Sequence, residues 1–87
     1  MNINVSKESV MTAKQIVQQT QQVLAQNHAT LVSDIEQNLM EWKDANVTKF
    51  LTNFQNMTQD VAEVLGRLQA IDDFCTEVYN WLCLYLD

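Results

Sequence analysis

Few side chains in this sequence are equipped for covalent or acid–base chemistry, and those few are scattered. His28 is the sole histidine. On a helix its neighbours four residues away are Leu24 and Val32, so no carboxylate orients it as a base. It reads as a residue of an apolar seam. Asp34 and Glu36 are two residues apart and do not share a helix face. Asp72-Asp73 is an acidic pair with no histidine near it in sequence, which makes a poor metal site. Cys75 and Cys83 are separated by eight residues, about 12 Å along a helix, too far for a disulfide within it. Cys75 falls on an apolar line and reads as a small buried hydrophobe. Cys83 is a candidate exposed thiol that could pair with a second chain. No glycine-rich phosphate loop is present. The expectation is a non-enzymatic protein with no catalytic or metal-ligating residues and no cofactor.

The elements that would carry these residues are constrained by a shortage of breakers. The chain has 87 residues, no proline and a single glycine, Gly66. A small sheet protein needs turn residues every 8–12 positions, so an all-α chain with very few, long helices is expected. Its length allows one domain. No apolar run approaches the roughly 18–20 residues of a membrane span. The start, Met-Asn-Ile-Asn-Val-Ser, lacks the features of a secretory signal peptide, and two cysteines without a framework suggest synthesis in the cytoplasm. Net charge is −6 with five dispersed basic residues, which argues against nucleic acid and membrane insertion.

Pattern and chemistry together suggest a turn only at Glu41–Val47, where Asp44 and Asn46 are good caps for a following helix. The reading is an antiparallel two-helix hairpin spanning 1–87, with helix 1 at about 6–40, the turn at about 41–46 and helix 2 at about 47–85. One continuous helix near 120 Å long is the competing geometry. Ser6 is the expected cap of helix 1, with Val5 and Val10 at the spacing of a hydrophobic staple. The apolar residues of helix 1 are Val10, Ala13, Ile16, Val17, Val23, Leu24, Leu31, Val32, Ile35 and Leu39, and between Lys14 and Asp34 no residue is formally charged.

Helix 2 has a more regular pattern. Val47, Phe50, Phe54, Met57, Val61, Val64, Leu68, Ile71, Cys75, Val78, Leu82 and Tyr85 alternate spacings of three and four without a charged member. This is a heptad seam, the signature of coiled-coil-like packing. A second stripe runs beside it at Leu51, Leu65, Tyr79 and Leu86, and Phe74, Trp81 and Leu84 add apolar surface on further faces. A lone hairpin has one internal contact line and cannot bury all of this. Surplus apolar surface marks a partner, so pairing with a second chain into a four-helix bundle is expected. The seam residues Phe50, Phe54, Met57, Val61, Leu68, Ile71, Val78 and Leu82 would serve core and partner binding. Phe74, Tyr79, Trp81 and Tyr85 would form a C-terminal partner surface.

Trp42, at the midpoint turn, could simply cap the end of the bundle core. The run Trp42-Lys43-Asp44-Ala45-Asn46-Val47-Thr48-Lys49-Phe50, followed by Phe54, together with the lead Ile3-Asn4-Val5-Ser6, resembles the WXG (ESAT-like) family over essentially the whole chain. These are small helical-hairpin substrates of bacterial type VII (ESX) secretion with Trp-x-Gly in the turn. Asp44 stands where that family has glycine. The Tyr-x-x-x-Asp/Glu signal that many members carry is missing, since Cys83 follows Tyr79 by four residues and the sequence ends two residues after Tyr85. The resemblance implies a secreted substrate or targeting partner, made in the bacterial cytoplasm and exported by a secretion ATPase without a cleavable signal peptide. It implies a homodimer, or a heterodimer with another helical hairpin or the N-terminal domain of a toxin that it escorts. Trp42 and Asp44 would form the turn half of the recognition surface. The alternatives are an intracellular coiled-coil adaptor, or a helical subunit or chaperone of another secretion system, which usually has proline in its turn.

Overall fold

A computed structural model describes residues 6–39, 41, 42 and 44–86, apart from the side chain of Leu86. Two helices, α1 (Lys7–Leu39) and α2 (Ala45–Leu86), pack against each other as an antiparallel hairpin. The molecule measures 63 × 20 × 16 Å. That is about the length of α2 alone at 1.5 Å per residue and half that of a continuous helix. The staple of Val5 on Val10 and the lead Ile3-Asn4-Val5 lie outside the described residues, as does Lys43 of the turn.

Both helix starts are fixed by side-chain caps. The amide of Ser9 donates to Ser6 Oγ at 3.1 Å, and the amide of Val10 donates to the Ser6 carbonyl at 3.1 Å, opening α1. At α2 the amide of Asn46 donates to Asp44 Oδ1 at 2.7 Å, while the amide of Thr48 donates to the Asp44 carbonyl at 3.0 Å. Each cap satisfies amides that a helix start leaves without partners. Between the helices, the Trp42 amide donates to the Leu39 carbonyl at 3.1 Å. No described residue has positive φ, so the described part of the turn makes no demand for glycine. Gly66 sits inside α2, and a Cβ there would meet nothing within 4 Å. No close approach requires it, and its cost of about 1 kcal/mol relative to alanine has no packing counterpart.

The heptad seam of α2 does not face α1 as a whole. Val47, Phe54, Val61, Leu68, Cys75 and Leu82 do turn inward, together with Leu51, Thr58, Leu65, Asp72 and Tyr79. The other edge of the expected seam turns away, and Phe50, Val64, Ile71 and Tyr85 are exposed. Met57 and Val78 lie half-buried at the boundary. The apolar residues of α1 divide in the same way. Val10, Val17, Leu24, Val32, Ile35 and Leu39 are buried or half-buried, whereas Ala13, Ile16, Val23 and Leu31 are exposed. The physical reason is that one neighbouring helix covers one stripe, and each helix carries two.

The resulting core is small. Among the described residues the buried apolar side chains are Val10, Cys75 and Leu82, with Val78 and Tyr79 packed against them at the open end of the hairpin. Leu82 is 1% exposed, and Leu84, two residues on, is 79% exposed. Leu82→Ala is therefore expected to cost about 2–5 kcal/mol, and Leu84→Ala to stay within about 0.5 kcal/mol of the parent. Paired thermal melts followed by circular dichroism check both.

Candidate functional site

The two broad faces of the hairpin differ in chemistry. On one, polar side chains bridge the helices. Lys14 Nζ donates to Asp72 Oδ1, forming an ion pair, and to Thr76 Oγ1 at 2.7 Å. Gln18 Nε2 donates to Asp72 Oδ2 at 3.3 Å. Farther along, Gln21 Nε2 donates to Gln69 Oε1 at 3.1 Å, and Gln69 Nε2 to Asp73 Oδ1 at 3.0 Å. Asp72 is only 6% exposed, and a carboxylate so placed needs both its charge and its lone pairs answered. Lys14, Gln18 and the pairing geometry answer them. The Lys14 hydrogen bond is the main influence holding the Asp72 carboxyl below its ordinary pKa, against the opposing effect of burial.

These inward polar residues were not among the sequence-derived candidates, which favoured the uncharged line of α2. The available signal was a pair of opposite charges on lines of helical spacing: Lys14 between Val10 and Val17, and Asp72 seven residues after Leu65. Tyr79 belongs to this side too. Expected on the partner surface, it packs against the core cluster instead, and the neighbouring Cys83 thiol raises the Tyr79 pKa. Cys83 is half-buried rather than exposed, and Cys75 is buried. His28 is half-buried in the seam, and its buried Nε2 has no hydrogen-bond partner.

The opposite face is richer in apolar side chains, with Thr20 and Asn27 among its α1 members. Ile16, Val23 and Leu31 of α1 lie exposed, as do Phe50, Val64, Ile71, Phe74, Trp81 and Tyr85 of α2. Shared grooves show that the two sets occupy one side of the hairpin. Near the open end, Ala13 lines a groove with Phe74 and Val78; near the turn, Leu31 lines another with Phe50 and Met57. Two aromatic pairs stiffen this face. Phe50 and Phe54 stack with ring centroids 6.3 Å apart, and Trp81 and Tyr85 meet at 5.1 Å. The stripe widens toward the C-terminus, because the flanking line reads Asn53, Asp60, Arg67 and then Phe74 and Trp81. Arg67 is paired with Glu63 of its own helix at 3.3 Å.

The chain exposes 6905 Å², whereas a compact monomer of 10.0 kDa exposes roughly 5,200 Å²; the excess follows from the elongated 63 × 20 × 16 Å shape. At the turn, Trp42 is 62% exposed, so its indole does not close the end of the hairpin core. Asp44 beside it caps α2 with its side chain. Among the described residues no cluster of three or more metal-capable side chains occurs, and no helix is long and apolar enough to cross a membrane. A groove on the polar side, lined by Val32, Ile35, Leu51, Phe54 and Thr58, has Glu36 as its one ionisable residue.

The Lys14–Asp72 bridge makes a pH prediction. A carboxyl whose folded pKa lies below its unfolded value contributes stability above the unfolded value, near 3.9, and that contribution is lost as pH falls through the folded pKa. Asp72→Asn is expected to lower the melting temperature near neutral pH and to shrink its decline between about pH 5 and pH 2. Melts across that range check it, and a parallel decline in both proteins contradicts it.

Comparison with protein-family models, with curated proteins and with solved structures finds no match to this chain.

Proposed function

We propose that this protein is a helical pairing module that docks its apolar face on a second helical hairpin to complete a four-helix bundle, and that it serves type VII (ESX) secretion as a substrate or targeting partner. The observation that carries the pairing is the set of apolar side chains Ile16, Val23, Phe50, Val64, Ile71, Phe74 and Trp81, interrupted on α1 by Thr20 and Asn27 and exposed on one side of a hairpin whose other side is bridged by polar groups. A face of this kind is what bundle formation buries. The molecule's 63 Å length suits a hairpin bundle better than an extended adaptor rod.

The secretion role draws on the resemblance to WXG proteins and on the turn. Trp42 is exposed and therefore free to be read by another protein, and Asp44 holds the start of α2 through its side chain. Replacement of the motif glycine by Asp44 imposes no left-handed backbone there, so this departure leaves the hairpin geometry intact. A partner chain carrying the Tyr-x-x-x-Asp/Glu element would fit the role of a small companion escorting a larger toxin. Export would then proceed from the bacterial cytoplasm through the secretion ATPase.

Trp42→Ala separates recognition from folding. Its exposure predicts a stability change within about 0.5 kcal/mol, together with loss of export or of partner docking. A melting temperature that drops by many degrees would return Trp42 to a structural role. Export that persists when the secretion ATPase is deleted would remove the secretion reading.

A further inference from the structure

The contacts that hold the two helices together gather at the end that the chain leaves open. The least exposed of the described residues, Val10, Asp72, Cys75 and Leu82, all lie there. So do the hydrogen bonds between helices, from Lys14 to Asp72 and Thr76, from Gln18 to Asp72, and from Gln21 to Gln69. Among the described residues, none joins α1 after Gln21 to α2 before Gln69. On that turn side the inward residues, such as Leu24, Val32 and Ile35 on α1 and Leu51, Phe54 and Val61 on α2, are all only half-buried. Grooves of about 440 and 430 Å³ flank the contact there, one on each broad face, and Ile35 and Phe54 line both. At the open end a groove lies on one face, and the Lys14–Asp72 pair spans the other. His28 adds a penalty on the turn side. Its buried Nε2 has no hydrogen-bond partner in the closed hairpin, and it gains water when the helices part.

We infer that the turn side of the hairpin, residues 22–39 of α1 and 45–66 of α2, opens as a unit while the clamp around Asp72 and Leu82 stays closed, with α2 giving way at Gly66. Proteins open locally in contiguous units, and a unit with few buried contacts opens at the lowest cost. Free chain ends ordinarily open first; in this hairpin the order is reversed, because the clamp sits at the free ends. Gly66 lies three residues before Gln69, at the edge of the clamp, and has no packing contact that requires it. A glycine inside a helix favours the unwound chain, so α2 has a weak point where the clamp stops. Parted from each other, the two segments lose the packing on which most protein helices depend, and their backbone amides meet water. Trp42, 62% exposed at the tip, is carried by the opening half, and opening bares Ile35 and Phe54. The inference goes beyond the docking reading and does not depend on what covers the apolar face.

The test is amide hydrogen exchange on the full chain, read residue by residue by NMR. In the parent, amides of residues 24–36 and 50–64 should exchange about tenfold or more faster than those of residues 12–21 and 69–80. Leu82→Ala weakens the clamp alone. It should speed exchange at residues 69–80 by about tenfold or more and leave residues 24–36 and 50–64 unchanged, since the turn side opens without breaking the Leu82 contact. Val78→Ala, packed against the same cluster, asks the same question with a smaller loss if Leu82→Ala unfolds the chain. Gly66→Ala, whose Cβ would meet nothing within 4 Å, should slow exchange of the turn side by about fivefold. Equal exchange in the two halves of the parent overturns the inference. So does a clamp variant that speeds both halves by the same factor, because the hairpin then opens as one cooperative unit. A turn side that exchanges unchanged in Gly66→Ala overturns Gly66 as the place where α2 gives way.

Discussion

Two helices laid side by side share a single line of contact, and that limit governs this molecule. Each helix brings enough apolar residues for two lines. Burying one leaves Ile16 and Val23 on α1, and Phe50, Val64, Ile71, Phe74 and Trp81 on α2, facing water. The internal line buries three apolar side chains among the described residues, a thin core for 87 residues, since small chains already bury a reduced fraction of their surface. The stability of the fold and the use of its outer face are therefore one problem. A partner that covered the exposed stripe would also enlarge the core.

Polar chemistry decides which line goes inside. Lys14 and Asp72 would be costly to bury alone, and they meet across the helices with Gln18 and Thr76 completing the cluster. Gln21 and Gln69 extend the bridge toward the middle of the rod. These contacts rotate both helices so that their glutamine-bearing flanks approach and their apolar flanks point the same way. Breaking a buried charge pair by removing one partner is more costly than the pair is stabilising, so the bridge acts mainly to exclude other helix rotations. The unpartnered Nε2 of His28 lies on the same internal line and contributes nothing comparable.

Much of the architecture was legible in the sequence. The absence of proline and the single glycine pointed to long helices, and Ser6 and Asp44 mark the starts of both. The near-central position of the turn argued for a hairpin over a rod. The choice between seam edges was not legible from α2 alone, because the lines through Phe50, Val64 and Ile71 and through Leu51, Leu65 and Tyr79 flank the shared line of Phe54, Val61 and Leu68 equally well. Helical periodicity assigns residues to stripes without saying which neighbour covers a stripe. Preferring the uncharged edge was the natural reading of a core, and it set aside the inward Asp72 because its partner, Lys14, lies 58 positions earlier in the chain. The same symmetry misplaced Tyr79, which packs on the internal core rather than on the outer surface.

Dependence of the fold on a covered apolar face is tested most directly by thermal melting of the purified chain over a hundredfold range of concentration. A native state stabilised by association melts higher as concentration rises, so the predicted result is a midpoint that climbs steadily with concentration. A midpoint that stays fixed across the range, with a cooperatively folded and monomeric chain, would contradict it.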